Sequence, residues 1–136
     1  MNKILPVLFL LVFIACSKSE EFDIQLEDEI IGSWVNPAYN DSTITYEKAN
    51  SLKENDYGFQ FKTEHQFVER KNSGWCGTPP IAYADFDGTW TRNDSIIQIE
   101  VAYWGGTVDL KMKIITLDQK NLTILKIKEA YHLEED

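Results

Sequence analysis

Residues 85–114 read DFDGTWTRNDSIIQIEVAYWGGTVDLKMKI. Phe86, Gly88 and Trp90 alternate with Asp85, Asp87, Thr89 and Thr91. After the turn Arg92-Asn93-Asp94-Ser95, Ile97, Ile99, Val101 and Tyr103 alternate with Gln98, Glu100 and Ala102. After Gly105-Gly106, Val108, Leu110, Met112 and Ile114 alternate with Asp109, Lys111 and Lys113. A period of two sends alternate side chains to opposite faces, so each run is a half-buried strand. Short turns rich in Gly, Asn and Asp between such runs make antiparallel hairpins.

The same pattern extends outward in both directions. Tyr57, Phe59 and Phe61 share a face against Gly58, Gln60 and Lys62, and residues 65–70 follow after a short turn. Downstream, Leu117-Asp118-Gln119-Lys120-Asn121 turns the chain into a strand over Leu122–Lys128. Ile30–Val35 and Ser42–Glu47 supply two strands in front. The reading is all-β, with about eight strands. Regular hairpins without a long helical pattern favour a small up-and-down antiparallel β-barrel, with a sandwich as the other arrangement. The polar stretch Tyr46–Asn55 is either a short helix or a long loop. Gly74-Trp75-Cys76-Gly77-Thr78-Pro79-Pro80 is a loop, because adjacent prolines remove ladder donors.

The N-terminus has a different chemistry. After Lys3, Ile4–Ala15 carries no polar side chain, yet is well short of the roughly 20 residues a membrane-spanning helix needs. It reads as a signal peptide over 1–15, to be removed. Residues 16–29 are acidic and lack periodicity, as in a tether. The barrel is assigned to 30–130 and an acidic tail to 131–136.

The chain has 136 residues and a formal net charge of −9, enough for one domain with its own core. That charge argues against nucleic-acid partners, which require a basic surface. His65 and His132 stand at no metal-ligand spacing from Cys76, so neither a metal nor another cofactor is expected. Cys76 is left without an intrachain partner if Cys16 is modified.

Phe13-Ile14-Ala15-Cys16 resembles the lipobox of bacterial lipoprotein precursors. The resemblance implies a lipid on Cys16 and a chain held at a membrane, since two or more acyl chains at about 0.8 kcal/mol per buried CH₂ anchor stably. Lys18-Ser19-Glu20-Glu21 resembles the acidic signal by which some lipoproteins reach the cell surface. Outer-membrane residence is implied, facing either the periplasm or the exterior. Gly32-Ser33-Trp34, the block from Gly88-Thr89-Trp90 to Ile99, and Asp118–Leu125 together resemble bacterial lipocalin-like lipoproteins over residues 29–128. In such barrels the first-strand Trp closes one end, often beneath an Arg from the last strand. Here the last strand supplies Lys126 and Lys128, and Arg92 adjoins the second triplet.

Two functions follow. One is a carrier for a small apolar or amphipathic ligand, with Phe59, Phe61 and Trp90 facing the interior. The other is a filled barrel that binds an envelope protein or a basic target through its loops, with Trp75, Tyr83 and Trp104 as the recognition residues. The acidic charge and small size are also similar to those of bacterial lysozyme-inhibitor lipoproteins, without a matching loop motif. An eight-stranded barrel is wide enough for packed side chains or one small ligand. The bulk of Trp34, Phe59, Phe61, Phe67, Phe86, Trp90 and Tyr103 favours packing. No nucleophile–base pair has a usable spacing, so the chain is not expected to be an enzyme. His65 and the pair Asp85 and Asp87 are read as solvated groups. A monomer is expected.

Overall fold

The computed structural model describes residues 29–135, so the signal segment, Cys16 and all of the tether but Glu29 lie outside the described residues. Eight strands follow in order: β1 (Gly32–Asn40), β2 (Thr43–Ala49), β3 (Gly58–Phe61), β4 (Gln66–Asn72), β5 (Tyr83–Asn93), β6 (Ile96–Tyr103), β7 (Gly106–Leu117) and β8 (Asn121–Leu133). They close into one antiparallel barrel in the order β1-β2-β8-β7-β6-β5-β4-β3. This is the all-β barrel that the alternation predicts, and it is compatible with a lipocalin-like fold. Tyr46–Asn55 is not a helix. Tyr46 to Ala49 complete β2, and the rest belongs to the connection into β3. The last strand runs past Ala130 to Leu133, and His65 precedes β4 in a turn where Glu64 and His65 both have positive φ.

From β3 to β8 each strand pairs with the next, but β1 stands between β2 and β3. β2 and β3 therefore run in the same direction, and residues 50–57 carry the chain back along the outside of β1. Eight extended residues span roughly 26 Å, enough for that return. The connection is fastened from outside. Arg70 makes a two-point bond to Asp85, at 2.6 and 2.8 Å, and donates to the carbonyls of Leu52 and Lys53. Asp85 thus holds an arginine, and that guanidinium keeps its carboxyl below the usual range.

One end of the barrel is packed solid. Trp34 has no exposed surface and donates its indole N–H to the Ile30 carbonyl at 2.8 Å. Lys48 lies over its ring at 5.1 Å and caps the Glu29 carbonyl at 2.7 Å. The cation over the first-strand Trp therefore comes from β2 and not from the last strand or Arg92, whose Nε donates to the Asp94 carbonyl. Trp90 donates to the Lys62 carbonyl at 3.0 Å, and Phe61 packs edge-on against it at 5.1 Å. Phe67, Ile97 and Leu122 complete the plug.

The two Gly-x-Trp triplets have separate steric causes. Gly32 has φ +132°, and a Cβ there would meet the Lys48 stem at 2.9 Å. At Gly88 a Cβ would lie 2.3 Å from the Glu100 carbonyl oxygen, across the pair with β6. Glycine lets the backbone approach closely at both places.

Bulges on β1, between Val35 and Ala38, and on β7 and β8 set which side chains face inward. Lys111 pairs with Lys128 but Met112 pairs with Lys126, leaving Ile127 as the extra residue on β8. Likewise Ile115 is extra on β7. Both isoleucines sit about half exposed on the outer face. Beyond Ile127 the inward parity changes from even to odd, so Glu129 and Tyr131 join Lys126 on the inner wall.

Candidate functional site

Above the plug the barrel is hollow. A cavity of about 290 Å³ lies inside the strands, with Phe59, Phe67, Val108, Met112 and Ile124 among its apolar walls. The filled interior that residue bulk favours is therefore found only in the lower half. The two indoles and Phe61 stack at the closed end, and in the upper half the rings of Tyr46, Tyr57, Phe59 and Phe67 face the smaller chains Val108, Leu110, Met112 and Ile124 of β7 and β8. A broader concavity of about 460 Å³ lies on the outer face between β5 and β8, among exposed side chains such as Thr91, Gln98, Glu100 and Lys128. It encloses no buried carboxylate, and the interior hollow is the better defined site.

The polar groups of the cavity fall into two matching sets. On one wall, Glu69 of β4 accepts from the Tyr57 hydroxyl at 2.8 Å and from Lys71 Nζ at 2.6 Å. On the other, Glu129 of β8 accepts from the Tyr131 hydroxyl at 2.8 Å and from Lys126 Nζ at 3.1 Å. In the closed order β4 and β8 are separated by three strands in either direction, so the sets face each other across the lumen. The Glu69 set is deeper; its carboxylate side chain is 9% exposed against 35% for Glu129. Lys71 also lies over the Phe86 ring at 5.4 Å. A buried carboxylate is tolerated only when paired and hydrogen bonded, as Glu69 is.

Tyr46 shares the cavity wall with Tyr57 and packs edge-on against Phe59 at 4.7 Å. Burial, followed by nearby negative charge, drives the phenols of Tyr46 and Tyr57 far above the ordinary value. The bond to Glu129, then partial burial, raises Tyr131 to about 12. Burial alone would raise Glu129, but its bonds from Tyr131 and Lys126 leave it below the ordinary range.

A neutral acid whose pKa is raised by folding contributes stability that is whole below its unfolded value near 10 and is lost as pH climbs toward the folded one. In an alkaline titration followed at 295 nm, Tyr46 and Tyr57 of the six tyrosines should ionise only as the barrel opens. Tyr131 should ionise near 12. Joint ionisation of all six near 10 would contradict the buried arrangement.

The residues singled out in the sequence divide by position. Phe59 lines the cavity, whereas Phe61 and Trp90 belong to the plug beneath it. Trp75 is 81% exposed in the β4–β5 connection, Tyr83 opens β5, and Trp104 is exposed in the β6–β7 turn. All three sit at the open end, around the mouth and not in its walls. Tyr103 links that rim through edge-on contacts to Trp104 at 5.5 Å and Tyr131 at 5.2 Å. Cys76, beside Trp75 in the β4–β5 connection, is an exposed free thiol, and bonds from Thr78 lower its pKa. Cys16 lies outside the described residues. Of the charged wall residues, Glu69, Lys71 and Glu129 have no role in the sequence expectation, and Lys126 figures there only as a cation of the last strand.

No family model, curated protein or solved structure matches this chain.

Proposed function

We propose that the protein is a lipid-anchored, lipocalin-like protein of the bacterial envelope whose half-hollow barrel holds a small amphipathic molecule. The observation that carries this reading is the cavity of about 290 Å³ with an apolar floor and two polar walls. Its size is near the lower end for ligand pockets, and the few convergent polar groups are those that orient a bound molecule. The protein is a binder and not an enzyme in this reading. Each carboxylate in the cavity is already held by a lysine and a tyrosine, which leaves neither poised as a base.

The lipobox-like Phe13–Cys16 supports the anchor. The chain enters the barrel at the plugged end, where Ile30 is buried beneath Trp34. An anchor on that side directs the mouth away from the bilayer. The protein with Cys16→Ser should leave the membrane fraction or stay unprocessed, and the wild type should take up labelled palmitate. Equal labelling of both would contradict lipidation at Cys16. For the cup, native mass spectrometry of protein purified from envelopes should reveal a copurifying molecule of small mass. An empty chain from every growth condition would oppose the carrier reading.

The exposed aromatic rim favours a second reading, in which a protein partner docks at the mouth. Trp75→Ala with Trp104→Ala should then abolish capture of one envelope protein and leave small-molecule binding unchanged.

A further inference from the structure

The charge balance of the cavity points to a class of ligand. We propose that the cup takes a small zwitterion with one apolar end, of the size and kind of an apolar amino acid. This rests on the carrier reading above and narrows it.

Size is the first argument. At about 30 Å³ for each water-sized group, a cavity of about 290 Å³ holds roughly ten such groups, the scale of a small amino acid. A long-chain fatty acid or a phospholipid exceeds that space. The plug of Trp34, Phe61 and Trp90 blocks extension downward.

Charge is the second argument. Each wall carries one carboxylate and one ammonium, Glu69 with Lys71 and Glu129 with Lys126. The two pairs together are neutral, so a ligand of a single charge leaves the partly desolvated cavity with a net charge, which is costly. A zwitterion keeps the cavity neutral: its carboxylate meets a lysine on one wall, its ammonium meets a glutamate on the facing wall, and the lysine and glutamate left over are opposite in charge. Tyr57 and Tyr131 continue to donate to the two glutamates. The arrangement spans the lumen from β4 to β8 and leaves the ligand's apolar end over Phe59, Phe67, Met112 and Ile124.

The full chain in lipid nanodiscs is titrated by calorimetry with L-phenylalanine, 3-phenylpropionate, 2-phenylethylamine and laurate. The expected result is phenylalanine binding at least ten-fold tighter than either singly charged analogue, with laurate no better than these. Glu69→Gln and Lys126→Met should each remove most of that preference. Glu129→Gln on the more exposed wall serves if Glu69→Gln fails to fold. Tighter binding of phenylpropionate, phenylethylamine or laurate overturns the zwitterion class while the cup reading stands. Binding of none of the four also overturns the class, and the copurification assay then decides separately whether the cup is used.

Discussion

Trp34→Ala is expected to cost about 3–5 kcal/mol, the range for removing a large buried aromatic, and to lower the melting temperature by roughly 12 °C or more. Trp34 is fully buried, and three features of the closed end converge on it. Its indole N–H satisfies the Ile30 carbonyl, its ring carries the Lys48 ammonium, and its strand pairs on both sides. Truncation leaves a void at the floor, frees Lys48 from the ring and unseats the segment that enters the barrel. Domains of this size are stable by only about 5–15 kcal/mol, so a measurable unfolded fraction at 37 °C is expected. Thermal unfolding followed by near-ultraviolet circular dichroism checks it. A change of less than about 1 kcal/mol, as for an ordinary surface site, would mean that Trp34 does not close the barrel.

Ile44→Trp should do the reverse, leaving the fold and removing the binding. Ile44 is half buried on β2, lines the cavity and pairs with Ile124. An indole projected from there fills much of the hollow at a cost of about 1–3 kcal/mol in overpacking. The copurifying molecule should vanish from native mass spectra, or its affinity fall at least ten-fold, while the melting transition remains cooperative. Full ligand occupancy in a folded Ile44→Trp protein would place the ligand elsewhere.

The strand pattern from Tyr57 to Ile114 carried most of the architecture, because a two-residue period is local and each turn announces itself. Phe59, Phe61 and Trp90 fell on the inner face for that reason. Glu69 and Lys71 were legible in principle. They share parity with Phe67, and a charged pair on the apolar face of a strand marks a polar interior. Glu129 and Tyr131 were not, because the bulge at Ile127 reverses the parity of β8 and a bulge has no reliable local signature here. Nor does any local feature tell that β1 stands between β2 and β3, or that Lys48 lies over Trp34. Both depend on pairings between segments distant along the chain. Residue bulk pointed to a filled barrel, since a sum of volumes cannot tell that both indoles sit at one end and that small chains of β7 and β8 leave a hollow at the other.

Met112 offers the most direct measurement. It is the one methionine beyond Met1, and it is buried on the cavity wall. With the methionine methyls carbon-13 labelled, its resonance reports on the hollow alone. If the upper barrel is a ligand cup, saturating L-phenylalanine shifts the Met112 methyl signal in the wild type and leaves it unmoved in Ile44→Trp. A Met112 signal unchanged by phenylalanine, by its singly charged analogues and by the molecule that copurifies from envelopes would contradict a binding cup.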